Sequence, residues 1–313
     1  MIAVHAHPDD ESSKGGATLA KYAAEGVRVI VATFTGGERG DILNPRLAND
    51  PGARAAIMAD LPAARRREMA EAARILGVEQ RFLGFEDSGL PQGDPPPPLP
   101  EGSFATLDPM VAARPLAALI REVRPQVLTT YDPSGGYPHP DHVQTHRATM
   151  AALELAADQG RAVGIGAVSG HDAGQDPAAG QDPAAGQDPA AAPGPFRVPK
   201  VYYDQGISLD RVEAIHEELL RRGMASPYSE WLVARHGRKS KAQHITTRVP
   251  VADFFPVRDA ALRAHATQVD PDGWFFAVPR DVERAVWPHE DFELAFSAVP
   301  VTIPEQDLFT GVR

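Results

Sequence analysis

The sequence predicts an α/β fold: a mostly parallel sheet flanked by helices, with a smaller C-terminal lobe. Three observations carry this. Apolar-rich runs of strand length at 2–6, 27–34, 81–85 and 126–131 alternate with helical stripes at 15–25, 62–76, 107–123 and 143–157. Runs that lack a polar alternate suit strands buried on both faces, as parallel sheets require. Each run also ends in a Pro- or Gly-rich loop, at the carboxyl edge where open α/β sheets bind ligands, so the arrangement is Rossmann-like.

The first run, Ile2 to Ala6, is too short for a helix and is stopped by Pro8, which holds His7 extended. A weak stripe of Ala17, Leu19, Ala20, Tyr22 and Ala23 follows and closes at Gly26. The second run leads into Thr35-Gly36-Gly37-Glu38-Arg39-Gly40. Strand, helix and strand make a right-handed βαβ unit. The loop has glycines that let backbone approach a ligand but no phosphate-loop ending. Over 62–76, Met69, Ala72, Ala73 and Leu76 share one face, with Arg65, Arg66, Arg67 and Glu68 largely on another. The third run ends at Glu86-Asp87-Ser88-Gly89. Four prolines at 95–98 predict a surface loop of polyproline character. The fourth run enters Asp132-Pro133-Ser134-Gly135-Gly136-Tyr137-Pro138-His139-Pro140-Asp141-His142, again a proline-limited strand end that opens a helix.

Three domain segments are expected: a metal-binding core over 1–163, a disordered insert over 164–197, and C-terminal strands and helices over 198–313 that complete the substrate pocket. The insert repeats Gly-Gln-Asp-Pro-Ala-Ala from Gly174, Gly180 and Gly186 and offers no large apolar residue to bury. After it come strands at 198–203 and 245–251 and helices at 209–222 and 256–268. Trp274, Phe275 and Phe276 are expected in the core.

The 313 residues carry a net charge of -11, with 42 acidic against 31 basic side chains and no dense basic tract, which argues against a nucleic-acid partner. Cysteine is absent, so disulfides, thiolate nucleophiles and sulfur-ligated zinc are excluded. No run has the length of a membrane span, and no basic segment leads into an apolar signal core, so a cytoplasmic protein is expected.

The chemistry concentrates at two strand ends. His7-Pro8-Asp9-Asp10-Glu11 and His139-Pro140-Asp141-His142 place His7, Asp10, His139 and His142 at one sheet edge. Two imidazoles and a carboxylate satisfy a catalytic zinc, or another first-row divalent metal, that keeps a fourth position open. Adjacent aspartates allow one to bind metal while the other takes a proton. The competing reading is a pair of helix caps. His5 is expected to be a buried, hydrogen-bonded histidine rather than a ligand.

These two motifs, in this order on their strands, resemble the LmbE-like, or PIG-L, zinc-dependent deacetylases, which remove acyl groups from glucosamine-containing substrates. The match runs to about residue 157. The resemblance implies one Zn2+ per chain held by His7, Asp10 and His142, with Asp9 as general base. It gives His139 the part of electrostatic stabiliser or general acid, has Asp141 orient His139, and closes Tyr137 over the oxyanion. Lys14, the loop bearing Glu38, and the tail at 264–269 are similar to the branch of the family that cleaves small-molecule thiol-conjugate amides. The alternative branch deacetylates GlcNAc-inositol. Lys14, Glu38, Arg65 and Asp87 are then the implied substrate contacts; the bland reading of Arg65 is a solvated helix face, and of Asp87 a turn.

Overall fold

Seven strands form one sheet in the computed structural model of the chain, which describes residues 1–159, 193–235 and 244–313. They are β1 (Ile2–His5), β2 (Ile30–Thr35), β3 (Glu79–Phe85), β4 (Val127–Tyr131), β5 (Lys200–Asp204), β6 (Thr247–Pro250) and β7 (His289–Ser297). Their order is β3-β2-β1-β4-β5-β7-β6. The first five are parallel, while β7 pairs antiparallel with both β5 and β6. All residues of β1, β2 and β4 are buried, as their uninterrupted apolar runs require. Period two sorts them: Ile2, Val4, Ile30 and Ala32 enter one core, and Ala3, Val31 and Val127 the other.

The chain winds outward from β1 through β2 to β3, then returns to place β4 on the other flank of β1. That reversal leaves a crevice above β1 and β4, the position open α/β sheets use for ligands.

The helix expected at 62–76 runs Leu61–Leu76, capped by the Asp60 side chain at Ala63 N and ended by Gly77 with φ 74°. The stripe at 107–123 is divided into Pro109–Ala112 and Arg114–Val123. The proline tract lies exposed and irregular, as expected. The insert falls largely outside the described residues; from its end, Phe196 N donates to Ala156 O at 2.8 Å.

Two expectations fail. β7 carries no clean alternation, because His289, Glu290, Asp291 and Glu293 interrupt its apolar positions, and so it was not anticipated. Trp274 and Phe275 are 38% and 40% exposed instead of buried. They sit on a short 3-10 turn beside a small separate cluster of Val212, Ile215, Leu219, Tyr228, Val278 and Val282. Among the described residues, no helix is long and apolar enough to cross a membrane.

Candidate metal centre

β1 delivers His7, and the chain then turns sharply at Asp9, whose φ of 111° is a conformation L side chains rarely adopt. The turn opens the short helix Asp10–Ser13, and His7 N donates to Asp10 Oδ2 at 3.0 Å. β4 delivers the second half. Asp132 Oδ1 accepts from Ser134 N, Ser134 Oγ and Gly136 N, which folds the loop back over the next helix, Pro140–Ala157. Gly135, at φ 75°, passes so close that a Cβ there would lie 2.7 Å from the Cβ of His142. His139 caps the helix, its Nδ1 accepting from Asp141 N at 3.1 Å.

The hydrogen bonds at the back of each ring fix what its front presents. His142 Nδ1 meets Gly135 O at 3.0 Å and must donate to it, which leaves a lone pair on the buried Nε2. That Nε2 has no hydrogen-bond partner and stands 3.4 Å from Asp10 Oδ2. His7 Nε2 donates to Asp141 Oδ2 at 3.1 Å. Burial lowers the pKa of this ring, but the carboxylates of Asp10, Asp141 and Asp87 raise it well above its ordinary value. In the neutral ring Nδ1, 3.5 Å from the same Asp10 oxygen, carries a lone pair. With His7 neutral, two imidazole nitrogens flank one buried carboxylate oxygen, an arrangement that fits a cation taking the place of the His7 proton. The ring nitrogens of His7, His139 and His142 also form a group compact enough for a metal, as do His7, Asp87 and Asp141. In the second group His7 Nε2 is already hydrogen-bonded to Asp141, while in the first His139 keeps Nε2 open, its Nδ1 being taken by Asp141 N.

Asp9 stands beside this group. Burial and the charge of Asp10 raise its pKa, against the opposing pull of Arg65. Burial lowers the pKa of His139 to about 4, so the ring is neutral, and because Nδ1 accepts from Asp141 N the proton lies on Nε2. Lys14 Nζ holds Asp10 Oδ1 at 2.6 Å. Tyr137, 47% exposed, places its ring at the mouth, 4.6 Å from that of His142 and 6.0 Å from that of His139. His5 is buried but lacks hydrogen bonds at both ring nitrogens, contrary to expectation. It packs edge-on to Tyr131, and burial lowers its pKa to about 4.

Other expected site residues take different company. The Asp141 carboxylate bonds His7 and Ser88 N instead of orienting His139, which it reaches only through its own backbone N–H. Arg65 does not lie on a solvated face: it is buried, donating to Gly37 O at 2.8 Å and Pro8 O at 2.7 Å, with Asp9 Oδ2 at 3.4 Å. Glu38 accepts from Gly36 N and Asp87 N, and Asp87 from Arg39 N and Gly89 N. Arg65, Glu38 and Asp87 therefore lace together the loops that follow β1, β2 and β3. Sequence reasoning gave no role to the Glu11–His265 pair or to Tyr131, whose ring stacks on His142 at 4.4 Å. The position of Glu11 inside the first motif and the resemblance of the tail at 264–269 marked the two segments, but nothing in either paired the residues.

A family model described as PIG-L, GlcNAc-PI de-N-acetylase, matches residues 2–153. The chain is 51% identical, over its whole length and 97% of the relative, to mycothiol S-conjugate amidase of Streptomyces coelicolor. It is 38% identical, over its whole length and 88% of the relative, to 1D-myo-inositol 2-acetamido-2-deoxy-alpha-D-glucopyranoside deacetylase of Streptomyces griseus. Among solved structures, N,N'-diacetylchitobiose deacetylase from Pyrococcus horikoshii aligns with a TM-score of 0.56 at 18% identity, over 94% of this chain and 82% of that one. GalB, a 4-carboxy-2-hydroxymuconate hydratase from Pseudomonas putida, aligns at 0.55 and 17%, over 96% and 98%. A deacetylase and a hydratase on one scaffold show that the fold alone does not choose the reaction.

Proposed function

The chain belongs to the PIG-L family, and from that premise we propose that it is a zinc-dependent amidase of mycothiol S-conjugates. The bond cleaved is the amide between the S-substituted cysteinyl group and glucosamine, giving a mercapturic acid and glucosaminyl-inositol. The observation that carries the hydrolytic reading is the meeting of His7 Nδ1, Asp10 Oδ2 and His142 Nε2 beside Asp9. The choice of a thiol-conjugate amide over an acetamide is supported by 51% identity to an amidase against 38% to a deacetylase.

Those three atoms are the ligands in this reading. A bound zinc supplies Lewis-acid polarisation of the carbonyl and lowers the pKa of water. Asp9 takes the proton of the attacking water, and a pKa raised by burial makes it a better acceptor near neutrality. The neutral His139 donates a hydrogen bond through Nε2 to the developing oxyanion, and the proton that Asp9 took from water passes to the departing glucosamine nitrogen. Tyr137 brings its hydroxyl from the mouth toward the same oxygen. Asp141 fixes the His7 ring so that Nδ1 faces inward. Lys14 neutralises the outer oxygen of Asp10. Arg65, Glu38 and Asp87 shape the loops that receive the sugar.

The test is turnover of a bimane-labelled mycothiol conjugate beside that of GlcNAc-inositol, with zinc analysis before and after chelation. Faster release of the cysteinyl conjugate, lost on chelation and restored by zinc, is expected. Faster acetate release overturns the substrate assignment in favour of the deacetylase. Turnover that survives full metal removal overturns the zinc assignment.

A further inference from the structure

One buried pair has no part in the chemistry above. Glu11 and His265 are both inaccessible to solvent, and His265 Nε2 donates to Glu11 Oε1 at 2.7 Å across 254 residues of sequence. The same oxygen accepts the Ser12 hydroxyl. The other oxygen, Oε2, accepts the backbone N–H of Asp9 at 3.0 Å.

The backbone of Asp9 needs such help. At φ 111° and ψ -27° it occupies a region that costs a non-glycine residue on the order of 1–3 kcal/mol, and such a residue keeps that conformation only when its surroundings impose it. Two clamps impose it here. Arg65 holds the carbonyl of Pro8, on one side of the peptide that joins Pro8 to Asp9, and Glu11 holds the N–H on the other. Glu11 in turn is a buried carboxylate that stays in place because donors surround it, and His265 is the one that comes from outside the motif. His265 stands at the C-terminal end of the helix Phe255–Ala264, so the last third of the chain reaches into the first strand-to-helix turn. A pair that only docked this helix would leave the Asp9 N–H out of its bonding.

We infer that Glu11 and His265 are positioning residues for Asp9, holding its carboxylate at the angle from which it receives the proton. The inference rests on Asp9 being the base.

Two readouts test it on the zinc-loaded full chain: amide hydrogen exchange of the segment spanning His5 to Lys14, and steady-state hydrolysis of the conjugate. In His265→Leu the Asp9 amide is expected to exchange at least about tenfold faster. kcat should fall about 10- to 100-fold, the scale of a small misplacement of a reacting group, with KM within about twofold and zinc stoichiometry kept. His265→Gln, which restores an N–H donor without the ring, should recover most of both. Unchanged exchange or unchanged kcat in the leucine variant overturns the inference, as does a glutamine variant no better than leucine. Should the leucine variant fail to fold, Glu11→Gln reads the same contact, because its one amide oxygen cannot serve the three donors that two carboxylate oxygens now share; wild-type exchange and kcat there are equally fatal. A wild type without turnover but with the expected exchange pattern removes the functional reading and leaves the positioning contact standing.

Discussion

The rim above β1 and β4 and the seam where β5 meets the C-terminal tail both bury ionisable groups, and they treat them in opposite ways. At the seam Lys200 is fully buried, yet its Nζ donates to Glu305 Oε1 at 2.6 Å and to Thr310 O at 3.1 Å, while Tyr202 Oη donates to Glu305 Oε2 at 2.7 Å. Every charge there has its counterpart inside the chain. At the rim, by contrast, Lys14 holds only the outer oxygen of Asp10, and His142 Nε2, 3.4 Å from the inner oxygen, has no hydrogen-bond partner among the described residues. The seam is complete as folded and contributes to holding the tail. The rim instead leaves a buried imidazole nitrogen unpaired beside a carboxylate, the arrangement on which the proposed metal site rests.

Four measurements would break or sharpen this contrast. The largest effect is expected from Asp9→Asn, since asparagine tolerates the left-handed backbone but cannot take the proton. Hydrolysis should drop about 10²- to 10⁴-fold with zinc content intact, and a variant retaining a tenth of wild-type kcat removes Asp9 as the base. Next, Lys200→Met leaves Glu305 buried without its cation and should cost about 3–5 kcal/mol in urea denaturation. The double variant Lys200→Met, Glu305→Leu should regain much of it, and a single variant as stable as wild type would show that the seam is not held by charge pairing.

Zinc at about a hundred times its Kd should stabilise the folded chain by about 2.7 kcal/mol. His142→Ala should abolish that increment, while Lys200→Met should keep it. The smallest effect concerns pH. Burial and then Glu290 push the pKa of Asp204 up to about 7 from an ordinary 3.8, with Lys14 opposing. Between those values the folded state holds a proton that the unfolded chain has lost, so this group's stabilisation is present below about 4 and fades as pH rises through 7. Asp204→Asn should flatten the denaturation midpoint across that window, and an unaltered slope would show that the carboxyl titrates normally.

The legible parts of the sequence were those with local causes. Apolar runs gave β1, β2 and β4, and Pro8 and Pro140 marked where strand yields to helix. Two short motifs named His7, Asp9, Asp10, His139 and His142 as a group. β7 was hidden because its burial comes from neighbouring strands and not from an alternation of its own. Trp274 and Phe275 misled because aromaticity speaks of burial on average, whereas only packing tells which rings stay at the surface. Arg65 misled similarly: helical periodicity placed it with charged neighbours, but two loop carbonyls drew it inward.

By itself the sequence determined that strand ends would carry imidazoles and carboxylates to one edge, since residue type and the limits set by proline act over a few bonds. Tertiary structure alone decided which ring nitrogen faces the centre, that Asp141 serves His7 instead of His139, and that His265 reaches Glu11. These depend on hydrogen bonds across distant segments, whose direction follows from the packing of the whole sheet and from no spacing along the chain.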